Sequence, residues 1–178
     1  FQKKNIWIGM KNSILNILRG GVNSTFQDLG RKNLYHIGLP FSGAMDKRNF
    51  LISNSLVGNQ TDTAVIEFAF QGPLLKVENG KINFAIAGNV NFKIKKGSTD
   101  IIDGECYKTY ILEENDMLDI ISTNKSVYGY LAITGGFDVE KYWDSSSTTV
   151  RAGVGANNGN KISEGDKINT NNTKKKYV

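Results

Sequence analysis

Between Ala64 and Thr134 the chain repeats one pattern: short apolar alternations, each stopped by glycine, asparagine or proline. Ala64, Ile66, Phe68 and Phe70 alternate with Val65, Glu67 and Ala69 before Gly72-Pro73. Ile82, Phe84 and Ile86 alternate before Gly88-Asn89, and Phe92 and Ile94 precede Lys96-Gly97. Further strands fit 107–112, 117–122 and 127–134, while Ile14-Leu15-Asn16-Ile17-Leu18 reads as a first strand ended by Gly20-Gly21. A period of two places one side of each strand in a core and the other toward water or a cleft. Strands this short and evenly spaced point to a closed or nearly closed β architecture. The expected fold is mainly β.

One segment breaks that period. Met45, Ile52 and Leu56 fall on one helical face with Phe50 and Val57 beside it, which predicts a single main helix over 46–57. Asp46 is placed to cap its start, and Gly58-Asn59 to end it. A length of 178 residues fits one domain with a core that needs no covalent staples. Residues 1–12 read as a leader outside the fold, and 169–178 as a frayed basic tail.

Scarcity narrows the chemistry. Six lysines at the two ends (3, 4, 11 and 174–176) more than account for the net charge of +5. A nucleic-acid groove needs its basic residues gathered on the folded body, so nucleic acid is not an expected partner. The single cysteine, Cys106, and single histidine, His36, exclude an internal disulfide and a Cys/His zinc cluster, and no metal site is expected. His36, just before a Gly-Leu-Pro turn, reads as a packing or turn residue. There is no phosphate-cradling loop of the Gly-x-x-x-x-Gly-Lys-Ser/Thr type and no nucleophile elbow. No apolar run reaches the length of a membrane span, and the start makes a poor signal peptide, so a cytoplasmic location is expected.

Polar side chains gather instead in Ser24-Thr25-Phe26-Gln27-Asp28-Leu29-Gly30-Arg31 and Gly38-Leu39-Pro40-Phe41-Ser42-Gly43-Ala44-Met45-Asp46. Polar groups spaced by turn formers suit either a pocket on loops or a pair of hydrogen-bonded turns. Asp28 and Arg31 sit three apart across Gly30, close enough for the carboxylate to accept backbone N–H groups and pair with the guanidinium. That arrangement serves as a structural clamp, or it turns Gln27 and Arg31 into fixed donors for a carboxylate or amide. Ser42, Gly43 and Ala44 lead into the helix at Asp46, where free N–H groups hold an anion or only their own cap. Glu67 lies in an apolar strand and either faces solvent or is a paired group with a shifted pKa. The segment Ser145-Ser146-Ser147-Thr148-Thr149 with Arg151, and the glycine-rich 153–159, offer hydroxyls to a polar ligand or serve as flexible connection.

Taken in order, these blocks resemble a known family. Thr25-Phe26-Gln27-Asp28-Leu29-Gly30-Arg31, then Ser42-Gly43-Ala44-Met45-Asp46, Asn54-x-Leu56-Val57-Gly58-Asn59, Ala64-x-x-Glu67 and Gln71-Gly72-Pro73 look like its successive motifs. Tyr130-Leu131-Ala132-Ile133-Thr134-Gly135-Gly136-Phe137-Asp138-Val139, Ser147-Thr148 and Gly165-Asp166 continue the match. The family comprises the C-type subunit of bacterial 5-oxoprolinase (also described as the second subunit of allophanate hydrolase), KipA-like proteins and the carboxyltransferase domain of urea carboxylase. The chain departs from it at Asn33-Leu34 and at Trp143-Asp144-Ser145.

The resemblance implies a cyclophilin-like β-barrel lobe over 13–168, the N-terminal part of a domain that continues for a comparable length. It further implies work with partner subunits of the A and B type in an ATP-dependent opening of 5-oxoproline to glutamate. ATP belongs to that complex, and no nucleotide motif stands in this chain. By the same resemblance Gln27, Asp28 and Arg31 are candidate catalytic residues, and Ser42, Gly43, Ala44, Asp46 and Glu67 candidate contacts to a lactam or ureido substrate. A KipA-like regulatory module without catalysis, and a biotin-dependent carboxyltransferase lobe, are the alternatives.

Overall fold

A computed structural model describes residues 12–97 and 100–171. Among the described residues eleven strands and one α-helix follow one another: β1 (Ile14–Arg19), β2 (Asn23–Gln27), α1 (Lys47–Leu56), β3 (Val65–Ala69), β4 (Leu74–Asn79), β5 (Lys81–Ala87), β6 (Val90–Lys96), β7 (Asp100–Asp103), β8 (Thr109–Glu113), β9 (Met117–Thr123), β10 (Tyr128–Ile133) and β11 (Lys167–Asn169). The mainly β expectation holds. The strands form two antiparallel sheets, ordered β11-β1-β4-β9-β6-β7 and β2-β3-β10-β5-β8. Residues 1–11 and 172–178, which hold most of the expected leader and tail, lie outside the described residues. Asn169 ends β11, and Thr170 beside it is buried, so the lobe runs past 168.

The alternation sorts side chains as the period of two requires. Leu15, Ile17, Leu75, Val77, Phe92, Ile94, Leu118 and Ile120 of the first sheet meet Ile66, Phe68, Phe84, Ile86, Leu131 and Ile133 of the second in one core. The other face of the second sheet, at Val65, Ala85, Tyr130 and Ala132, lies under α1 at Phe50 and Val57. Alanines there let the helix come close, and they leave β3 and β10 buried on both sides.

The helix forms where expected, with a different face inward. Asp46 accepts from the Asn49 N–H at 3.1 Å as N-cap, a bond of about 1 kcal/mol. Phe50, Ser53 and Asn54 are its buried residues, whereas Met45 is 67% exposed. The two asparagines of Asn54-x-Leu56-Val57-Gly58-Asn59 explain the rotation. Asn54 Nδ2 donates to the Thr63 carbonyl at 2.8 Å, and Asn59 Nδ2 donates to Asn54 Oδ1 at 3.0 Å and to the Ile133 carbonyl at 2.8 Å. These bonds tie the helix end to β10 and override an apolar stripe that is weak to begin with.

Candidate functional site

The polar stretch after Gly21 is not all loop. Asn23–Gln27 is strand β2, pairing with β3 in the register Thr25 to Glu67 and Gln27 to Val65. With Phe26 as its one large apolar residue, it carries no readable alternation. β2 is the outer strand of its sheet, and a free strand edge needs cover. Segment 145–149 provides it. The Thr148 N–H donates to the Phe26 carbonyl at 2.9 Å, and Ile162 N–H reaches the Ser24 carbonyl at 2.8 Å.

Asp28, at the end of that strand, holds the covering segment in place. Its carboxylate accepts from Ser145 Oγ (2.7 Å), the Ser146 N–H (2.6 Å), Ser147 Oγ (2.6 Å) and the Gly30 N–H (2.8 Å). Its own N–H donates to Ser147 Oγ at 3.0 Å. The serines 145–147 are buried, so this segment is a fixed wall and not the flexible connection its composition suggests. Charge-assisted bonds in a dry setting make this a strong, closed network.

Arg31 is 2% exposed. Its Nη1 donates to Thr149 Oγ1 at 3.0 Å and its Nη2 to the Ser147 carbonyl, while its buried Nε has no partner. No Asp28–Arg31 ion pair forms among the described residues, in contrast to the expected pairing across Gly30. The carboxylate is taken by the serines. Burial pulls the Arg31 pKa below its usual value, and the Asp28 charge opposes that shift. Gln27 Nε2 donates to Thr25 Oγ1 and to the Thr148 carbonyl, both at 2.9 Å, and leaves its Oε1 buried and unpaired.

Two turns meet backbone to backbone to bring Ser42 alongside. Arg31 N–H donates to the Phe41 carbonyl at 2.9 Å and Ala44 N–H to the Asp28 carbonyl at 3.0 Å. Gly30 and Gly43 face each other at φ +85° and +87°; a Cβ on Gly30 would stand 2.6 Å from the Phe41 oxygen. Only glycine permits that approach. Ser42 Oγ lies 2.9 Å from Thr149 Oγ1, which also receives Arg31.

The helix start is likewise occupied from within. Met45 N–H donates to Glu67 Oε2 at 2.8 Å, Asp46 N–H to the Tyr130 hydroxyl at 2.6 Å, and that hydroxyl to Glu67 Oε2 at 2.8 Å. The carboxylate at the head of α1 is thus the chain's own Glu67, 6% exposed and paired, not turned to solvent. Burial raises its pKa, with the Asp46 charge adding to the rise against the two hydrogen bonds; burial and the Glu67 charge drive the Tyr130 phenol far up. Tyr130 is not singled out by the sequence alone. It sits directly opposite Glu67 in the β3–β10 register, so two polar residues interrupting neighbouring apolar strands were the available signal.

Glu67 gives a pH test. Its folded pKa is above the unfolded value, so its contribution is fully present below the ordinary glutamate range and is lost as pH rises through the raised folded pKa. Glu67→Gln keeps an acceptor for Met45 and Tyr130 without the buried charge. Denaturant unfolding at pH 4 and 7 should show the variant gaining stability relative to the parent as pH rises. A pH-independent difference would mean that Glu67 does not titrate in this way.

Gln27, Thr25, Glu67 and Tyr130 therefore form one polar row across the α1 side of the second sheet, closed at one end by the 145–149 wall and at the other by the helix start. His36 stands apart in the exposed turn Tyr35–Ile37. Cys106 donates its thiol to the Val90 carbonyl at 3.3 Å, and burial pushes its pKa up, which disfavours the reactive thiolate. Among the described residues no three His, Cys, Asp or Glu groups gather as a metal site, and no helix is long and apolar enough to cross a membrane.

Fold and site together define a two-sheet β lobe whose loops converge on a buried guanidinium. Residues 37–178 match the family model of the carboxyltransferase domain, subdomain A and B, and the chain belongs to that family. It is 30% identical over 159 residues to the C-type subunit of 5-oxoprolinase from Haemophilus influenzae, covering 89% of this chain and 50% of that protein. It is 27% identical to the corresponding 5-oxoprolinase subunit of Escherichia coli, covering 87% of this chain and 48% of that protein. The crystal structure of the K. lactis urea amidolyase superposes with a TM-score of 0.84 at 27% identity, over 93% of this chain and 10% of that one. The chain spans about half the length of the 5-oxoprolinase subunits that it matches.

Proposed function

We propose that this chain is one lobe of an ATP-dependent assembly that opens the amide bond of a small lactam or ureido substrate, with 5-oxoproline the first candidate. The observation that carries this reading is Arg31, a guanidinium buried with an unpaired Nε and no ion pair among the described residues. A cation taken out of water without a paired anion gains strongly from a carboxylate or a developing oxyanion beside it. Hydrolysis of a lactam develops such an oxyanion when water adds to the carbonyl, before the C–N bond breaks to give a carboxylate and an amine. Arg31 is the donor for that charge, and the buried Gln27 Oε1 is an acceptor for a lactam or ureido N–H. Asp28 positions the wall through the serines, Ser42 stands beside Arg31 through their shared partner Thr149, and Gly43, Ala44, Asp46 and Glu67 shape the facing turn.

Likeness to the C-type subunit of 5-oxoprolinase supports partner subunits of the A and B type, and ATP is used by the assembly that they complete. With Arg31→Ala in the reconstituted assembly, 5-oxoproline turnover should fall more than about tenfold, with Arg31→Lys restoring little because it lacks the planar fork. Unchanged kinetics in a folded Arg31→Ala variant removes Arg31 from the site. A second reading, a carboxyltransferase lobe that accepts a carboxyl group from a biotinylated carrier, is favoured by the urea amidolyase superposition. Carboxyl transfer from such a carrier, with no 5-oxoproline turnover, selects it.

A further inference from the structure

A cleft of about 300 Å³ opens behind the Asp28 network, between the turn that follows α1 and the one that follows β10. Ser146, 1% exposed, lines it, and the Ser146 N–H is held by the Asp28 carboxylate on the other side. Phe137 and Val139 supply an apolar side, and Thr63 a hydroxyl. Asp62 and Lys141, both exposed, line the same space. Neither is in a salt bridge among the described residues, with the other or with any third group.

Two unlike charges that line one cleft without pairing, together with an apolar side and the buried Ser146, suit a molecule that carries both charges itself. A volume of this size is about ten times the share of one water in the liquid, enough for a compact molecule of amino-acid size. We infer that this cleft binds a small zwitterion of the α-amino-acid class, its carboxylate toward Lys141, its ammonium toward Asp62, and its carbon chain along Phe137 and Val139. The inference goes beyond the enzymatic reading, since it requires binding and no turnover.

L-Norvaline, a zwitterion with an unbranched apolar side chain, is the probe, titrated into this chain and followed by amide chemical shifts. Saturable shifts are expected at Thr63, Val139, Lys141 and Ser146. Lys141→Gln and Asp62→Asn, both at exposed positions, should each weaken norvaline about threefold to fivefold. Pentanoate, which lacks the ammonium, should bind more weakly than norvaline and be indifferent to Asp62→Asn. Absence of saturable shifts, shifts unchanged in Lys141→Gln, or shifts centred on Ser42 and Thr149 would each overturn the assignment, the last by placing the anion at Arg31.

Discussion

Asp28→Ala should lower stability by about 3–5 kcal/mol, a large part of the ~5–15 kcal/mol that a folded domain usually has. The substitution strands the Ser146 and Gly30 N–H groups, which cannot turn to other partners as the Ser145 and Ser147 hydroxyls can. It also removes the negative charge that opposes the desolvation of Arg31. Each buried donor left without a partner costs about 1–3 kcal/mol, and a buried cation without a nearby anion adds to that. The midpoint of thermal unfolding should drop by roughly 6–20 °C, at about 2–4 °C per kcal/mol. Asp28→Asn should fall between, because one oxygen still accepts while the amide group meets donors. A loss under about 1 kcal/mol for Asp28→Ala would show that the serine network adds no stability.

Gly155→Ala should be comparably damaging by a different route. Gly155 has φ +111°, and a Cβ there would stand 2.1 Å from the Ser147 carbonyl oxygen, the same oxygen that receives Arg31. The obstacle is backbone, which cannot rotate aside as a side chain would. Relief requires the 145–149 wall to move away from Asp28, so strain and lost hydrogen bonds add, and a cost of about 3 kcal/mol or more is expected. Denaturant unfolding measures it. Amide exchange should rise first at Ser146, Ser147 and Thr148, and exchange that rises uniformly would contradict a local origin.

The strands that the sequence disclosed are those with one face in a continuous core, such as Phe84 and Ile86 in β5 or Leu131 and Ile133 in β10. β2 was hidden because Phe26 is its one large apolar residue, while Thr25 and Gln27 belong to the polar row under α1. β11, three residues long, and β7, exposed at every position, have too little pattern to read. At the site, Gln27, Asp28 and Arg31 were legible as a group through their spacing and the family motif. Their connection to Ser145 and Ser147 was not, since a contact across 117 to 119 positions leaves no local mark. Glu67 and Tyr130 show the same limit in smaller form: each is an odd polar residue in its own strand, and only the register makes them a pair.

That separation bears on how the molecule is made. Thr148, which covers the outer edge of β2, lies 121 residues beyond Gln27. At a synthesis rate of ~5–20 residues per second, β2 therefore waits roughly 6–24 s on the ribosome before its cover emerges. Throughout that interval the nascent sheet offers an open edge with unsatisfied backbone groups, the type of surface that recruits other chains. Late arrival of the serine segment makes completion of the lobe and burial of its Arg31 guanidinium a single closing event, and a nascent chain stalled before it is the species most exposed to aggregation.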